Sequence, residues 1–94
     1  MENMKDTKTY ALKAEKLKAI AHPQRLCIIQ GLTEGGCNVT RMQECLNLPQ
    51  STVSQHLAKL KAAGIIEGER KGLEICYKVV DEEIKKIVEI LLKD

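Results

Sequence analysis

The chain of 94 residues has no Trp and no Phe, and Tyr10 and Tyr77 are its only aromatic residues. A core built on large rings is thereby excluded. Burial must rest on Leu, Ile, Val and Ala, the larger of which contribute about 1.5–3 kcal/mol each when fully buried. Long apolar runs are missing too. None approaches the roughly 18 residues that a membrane span needs, and the Lys-rich N-terminus has no apolar stretch of the signal-peptide kind. The chain is therefore expected in the cytoplasm, with no membrane partner. Gly31, Gly35 and Gly36 lack the spacing and the preceding strand of a phosphate-binding loop. No carboxylate pair marks a cleft, and neither His22 nor His56 has a Cys or Ser partner at a recognisable spacing. An enzyme is not expected. Neither a repeat nor a Gly/Ser/Pro-rich linker divides the sequence, so residues 1–94 are expected to form one domain.

What is present is a charged, aliphatic chain. Hydrophobic residues make up 44% and charged ones 30%, the balance of a globular protein and not of a disordered tail. A net charge of +2 is too small to indicate a partner by itself. Its distribution says more: residues 1–25 and 49–79 carry a basic excess, residues 26–48 and 80–94 an acidic one. Cys27, Cys37, Cys45 and Cys76 would be kept reduced in the cytoplasm and are not expected to form a disulfide framework. A chain this short leaves much of its surface exposed, so burial between copies is expected.

Helical spacing of Tyr10, Ala14, Leu17 and Ile20 predicts a first helix over residues 9–21, after a polar, frayed stretch over 1–8. His22-Pro23 interrupts it. Pro23 suits the first turn of a second helix with Leu26, Ile29 and Leu32 facing inward, ending before Gly35-Gly36. Asn38 is a good N-cap for a short third helix with Val39, Met42 and Leu46 inside. After the Asn47-Leu48-Pro49 turn, a fourth helix is expected over 50–63, with Val53, Leu57 and Leu60 on one face and Gly64 as its stop. Two strands, 65–70 and 73–79, flank Lys71-Gly72 as a hairpin. Ile75, Tyr77 and Val79 share one of its faces, Cys76 and Lys78 the other. Asp81 caps a last helix striped by Ile84, Ile87, Val88, Leu91 and Leu92. The fold expected is mainly α (α+β): five helices with a two-stranded wing. A short helix, a tight turn and a second amphipathic helix before a hairpin outline a winged helix-turn-helix.

Residues 39–57 are the most informative. Val39, Met42, Leu46, Leu48, Val53 and Leu57 are spaced to lock two helices across a tight turn. Between and after them the second helix offers Gln50, Ser51, Thr52, Ser54, Gln55 and Lys59, short or amide-bearing side chains where major-groove contacts are made. Gln55 suits an adenine edge, and Ser51, Thr52 and Ser54 suit bases or phosphates near the positive end of the helix. Arg70 and Lys71, with Lys78 nearby, put cations in or beside the wing for phosphate contacts that position without reading sequence. Solvated polar faces are the bland alternative. The turn, the Ser/Thr/Gln cluster and the hairpin together favour double-stranded DNA. His56 and His22 read as structural residues and not as metal ligands.

On these residues the sequence resembles the ArsR/SmtB family of bacterial repressors. The likeness runs from Leu17-Lys18-Ala19-Ile20-Ala21-His22-Pro23-Gln24-Arg25-Leu26, through Leu48-Pro49-Gln50-Ser51-Thr52-Val53-Ser54-Gln55-His56-Leu57, to Gly64-Ile65-Ile66 and the Tyr77 strand. It implies a homodimer built from the first and last helices, operator DNA bound through the fourth helix and wing, and release by an effector. Leu17, Ile84, Ile87, Val88 and Leu91 are the residues expected at the dimer seam. Packing of the 84–92 stripe against its own domain is the other reading.

The resemblance also frames the cysteines. Thiolates favour soft metals and arsenite, and the positions at which such sensors place them fall here on Asn38, Thr40 and Gln43, with Cys37 and Cys45 close by instead. Zinc sensors of the family use Asp and His across the last helix. Asp81 and Glu83 match the first half, but the last helix has no His, so no metal site is expected. Members that read oxidants or reactive sulfur use a Cys at the place of Gln30 and one in the last helix; Cys27 lies three residues earlier and the last helix has none. Cys27, Cys37 and Cys45 are therefore the candidate sensor thiols, for oxidation, reactive sulfur, a soft metal or arsenite. Within one helix Cys37 and Cys45 would lie ~12 Å apart, too far for a disulfide, whereas the short connection between two helices can bring Cys27 and Cys37 together, the pair to examine first. The competing view is that Cys27 and Cys45 are small, partly buried hydrophobes. The alternative function is a winged-helix module that docks a protein through its last helix without DNA binding or sensing.

Overall fold

The computed structural model describes residue 4 and residues 6–35 and 46–93. Within them run four helices and a hairpin: α1 Thr7–Ile20, α2 Pro23–Thr33, α3 Gln50–Ala62, β1 Ile66–Lys71, β2 Glu74–Val79 and α4 Glu82–Leu91. The third of the five helices expected, starting at Asn38 with Val39 and Met42 inside, lies outside the described residues except for Leu46.

Local hydrogen bonds set the boundaries. The Asp6 side chain accepts from the Thr9 amide (2.9 Å) and hydroxyl (3.0 Å), so α1 starts at Thr7 and not at Thr9. His22 caps α2, its Nδ1 accepting from the Gln24 amide at 3.1 Å, with Pro23 in the first turn where no donor is required. At the end of α3 the Gly64 amide donates to the Lys61 carbonyl (2.9 Å) and the Ile65 amide to the Leu60 carbonyl (3.0 Å). This Schellman closure uses the positive φ of Gly64, +76°. It also removes Ile65 from the expected strand, since its carbonyl accepts from Val80 (2.9 Å) and Asp81 (3.3 Å) instead of pairing across the hairpin. The strands pair antiparallel from Ile66↔Val79 to Lys71↔Glu74, which makes Gly72-Leu73 the loop, one position beyond the expected Lys71-Gly72. Gly72 (φ +65°) supplies the positive φ that a two-residue hairpin loop requires at its first position.

The core is aliphatic throughout. Ile28, Ile29 and Leu32 of α2 meet Val53, Leu57 and Leu60 of α3, Ile65 and Ile66 at the foot of the hairpin, and Ile84 and Val88 of α4. Tyr77 packs only at its edge. Two corrections to the expected dimer seam follow. Ile84 and Val88 are 1% and 2% exposed because α4 packs against α2, so they belong to the chain's own core. Ile87 is half-buried, while Leu17 and Leu91 stand 48% and 61% exposed. The helical stripe of α1 likewise delivers only Ile20 to the interior.

Of the two hairpin glycines, Gly68 is the closely packed one. A Cβ there would lie 2.9 Å from both Ile75 Cγ2 and Tyr77 Cε1, because the Tyr77 ring fills the space opposite its ladder partner Gly68. Gly68→Ala is expected to push the ring off the ladder and lower stability by about 1–3 kcal/mol, read as a lower thermal midpoint. An unchanged midpoint would contradict this packing.

Candidate nucleic-acid interface

Burial divides α3 into two faces. Val53, His56, Leu57 and Leu60 point into the domain; Gln50, Ser51, Ser54, Gln55 and Lys59 are exposed, and Thr52 is half-buried. At 100° per residue, Ser51 and Gln55 lie opposite the buried face, with Ala58 and Ala62 continuing that side. The arrangement presents hydroxyl and amide groups from the first turns and the cations Lys59 and Lys61 from the last. No acidic residue occupies the first turn, so the positive helix end is not neutralised there.

The hairpin puts Arg70 on one face and Lys71 with Lys78 on the other. Arg70 sits opposite Ile75 and alternates with Ile66 and Gly68 on the core-side face. Lys71 faces Glu74 across the last rung and shares the outer face with Glu67, Glu69, Cys76 and Lys78. Both cations are exposed, yet Lys71 stands among carboxylates, a juxtaposition set by register and invisible in the charge count. Leu73, expected at the start of the second strand, instead stands 98% exposed at the hairpin tip.

Carboxylates of α4 are taken up by α1. Asp81 accepts from the Ile84 amide (3.0 Å) and pairs with Lys16 (2.6 Å); Glu83 pairs with Lys16 (3.2 Å) and Lys13. Burial pushes the Asp81 carboxyl up, but the Lys16 contact and the Ile84 amide outweigh it and hold the group below the ordinary carboxylate range. The Lys13 and Lys16 contacts lower Glu83 likewise, and Asp81 followed by Glu83 raises Lys16. The two residues that matched half of a zinc-binding pattern thus cap a helix and tie it to α1. Among the described residues no group of three His, Cys, Asp or Glu is placed to hold a metal.

Cys27 is exposed on α2 and Cys76 half-buried on β2. Cys37 and Cys45 lie outside the described residues. His56 is a structural residue, bonded through both ring nitrogens to Gln24 and Arg25 of α2. Gln24 and Arg25 were missed as functional candidates; their only sequence signal was their place in the His22-Pro23-Gln24-Arg25 run.

A helix with one face locked in a core and a polar face open beyond a tight turn, followed by a hairpin, defines a winged helix-turn-helix domain. A helix-turn-helix domain model matches residues 20–69. The chain is 43% identical over 74 residues to the HTH-type transcriptional repressor SmtB of Mycobacterium tuberculosis, covering 79% of this chain and 55% of that protein. It therefore spans about half the length of that relative. It is 43% identical over 79 residues to the transcriptional repressor PagR of Bacillus anthracis, covering 83% and 79%. The PagR crystal structure superposes with a TM-score of 0.80 at 38% identity, over 92% of this chain and 99% of that one. The homodimeric winged helix-turn-helix DNA-binding domain of Mb0332 from Mycobacterium bovis (fragment 1–100) gives 0.81 at 26% identity, over 97% and 86%. The chain belongs to the ArsR/SmtB family of winged helix-turn-helix transcriptional repressors, which are regulators and not enzymes.

Proposed function

We propose that the chain represses transcription in the cytoplasm by binding operator sequences in double-stranded DNA as a homodimer. The α3 helix enters the major groove and the hairpin lies against the backbone. The observation that carries this reading is the open face of α3, where Ser51, Ser54 and Gln55 stand clear of the core with Lys59 at their end. Gln50 and Thr52 flank that face, Gln55 reads a base edge, and Arg70 and Lys71 hold phosphates. A second copy meets the exposed Leu17, Ile90 and Leu91, with Ile87 at the margin of the seam. The homodimeric state of the Mb0332 domain supports this assembly. Release from DNA runs through cysteine thiols, by oxidation, reactive sulfur, a soft metal or arsenite. Cys27, exposed on α2, is the described member of the set that also includes Cys37 and Cys45.

Fluorescence anisotropy with a duplex selected by the protein from a random library tests the reading. Affinity is expected to fall steeply with salt, and Lys71→Ala to lower the logarithmic salt slope by about one. Salt-insensitive capture of a protein partner, with no saturable duplex binding, would instead favour a docking module. At least one of tetrasulfide, peroxide, arsenite and cadmium is expected to release the duplex from the wild type. Unchanged release from Cys27→Ser by all four would remove Cys27 from the sensing role.

A further inference from the structure

His56 points from α3 away from the open face into the domain, where it is only 8% exposed. Arg25 Nε donates to its Nδ1 at 3.1 Å, and its Nε2 lies 2.8 Å from Gln24 Oε1. Because Nδ1 accepts, the ring is the neutral Nε2–H tautomer, whose one proton is donated to Gln24. Arg25 also donates through Nη1 to the Ala19 carbonyl of α1 at 3.1 Å. The His22 ring, which caps α2, lies 4.6 Å from the His56 ring, centroid to centroid. The remaining buried contacts of α3, made by Val53, Leu57 and Leu60, are aliphatic and non-directional. The bonds to His56 have fixed donors, acceptors and angles, so they set the rotation of α3 about its axis.

We propose that Gln24 and Arg25 position the DNA-reading helix through His56, and that protonation of His56 breaks this contact and weakens duplex binding in mild acid. The inference rests on α3 reading DNA, as proposed above. A second proton on the ring would turn Nδ1 into a donor aimed at the Arg25 donor. The new charge would face Arg25 from α2, His22 from the junction before it, and Lys59 on α3 itself, each of which disfavours a charge on the ring. Gln24 contributes a neutral amide and α1 a carbonyl already bonded to Arg25. Burial first, then these neighbours, hold the ring below the ordinary imidazole range in the folded domain. The sign follows. The proton is taken up more readily when α3 is released, so binding is complete above the ordinary histidine value of about 6.5. It is lost as pH falls through the lower value of the docked ring.

The selected duplex is titrated with wild type, His56→Gln and Gln24→Glu at fixed ionic strength, from about pH 7.5 down to about pH 5. The histidine ring resonances of the free proteins are followed by NMR over the same range. Wild-type affinity is expected to start falling where the His56 ring titrates, by up to about tenfold per pH unit, the limit for one coupled proton. His56→Gln, which keeps an amide donor and takes up no proton, is expected to be flat. Gln24→Glu places a carboxylate beside Nε2 and is expected to move the onset to higher pH. If His56→Gln does not fold, coincidence of the wild-type onset with the ring titration, and its shift in Gln24→Glu, decide the matter. Duplex binding that is intact near neutral pH but falls identically in His56→Gln, or does not fall at all, overturns the positioning role and leaves the DNA reading standing. No saturable duplex binding by wild type near neutral pH overturns both.

Discussion

Truncating Leu60 to alanine is expected to lower the unfolding free energy by about 2–5 kcal/mol. Leu60 is 0% exposed and projects from the last turns of α3 into the cluster of buried Ile, Leu and Val side chains. The loss is the transfer term for the deleted carbons plus the cavity left among aliphatic neighbours. Against a total of about 5–15 kcal/mol for a domain, it is large enough to lower the thermal midpoint by roughly 10 °C or more. Urea unfolding at constant m-value measures it. Leu73→Ala is the matched control, since its side chain stands in solvent at the hairpin tip and its removal is expected to leave stability nearly unchanged. Equal effects at the two leucines would contradict the core described above.

The second large effect is on recognition. Gln55→Ala is expected to weaken binding to the selected duplex by about 1–3 kcal/mol and to relax discrimination at one base pair. Gln55 lies opposite the buried face of α3, so its truncation would remove the proposed base contact and leave the core intact. Anisotropy against a set of duplexes substituted one base pair at a time separates this from a general loss. A uniform weakening across the set, equal to that of a phosphate-contacting lysine, would show that Gln55 does not read sequence. The thermal midpoint is expected to stay at the wild-type value, in contrast to Leu60→Ala.

Much of this architecture is legible without coordinates, and the reasons are local. Val53, Leu57 and Leu60 at helical spacing divide α3 into a buried and an open face before any partner is known. Pro23, Gly64 and Asp81 mark helix ends because each supplies a backbone geometry or a cap that the helix needs there. The misreadings also have local causes. Asp6 extends α1 to Thr7 through a cap easily taken for part of a frayed tail. Ile65 has the composition of a strand residue, but the closure of α3 engages its amide and the amides of Val80 and Asp81 engage its carbonyl, which moves β1 to begin at Ile66. The shift of the loop to Gly72-Leu73 then decides that Lys71, and not Arg70, shares a face with three glutamates.

By itself the sequence determined the described helices and hairpin to within a residue or two, the outward amide and hydroxyl face of α3, and the family. Periodicity, capping and turn chemistry act within a few residues, so a linear reading captures them. Only the tertiary structure decided how the apolar stripe of α4 is divided, Ile84 and Val88 going inside while Leu91 stays out. It alone paired Lys13 and Lys16 with Glu83 and joined Gln24 and Arg25 to His56. Those groups lie far apart along the chain. Periodicity gives each helix an apolar face but no address for its partner, and it is packing that brings a particular donor to a particular acceptor.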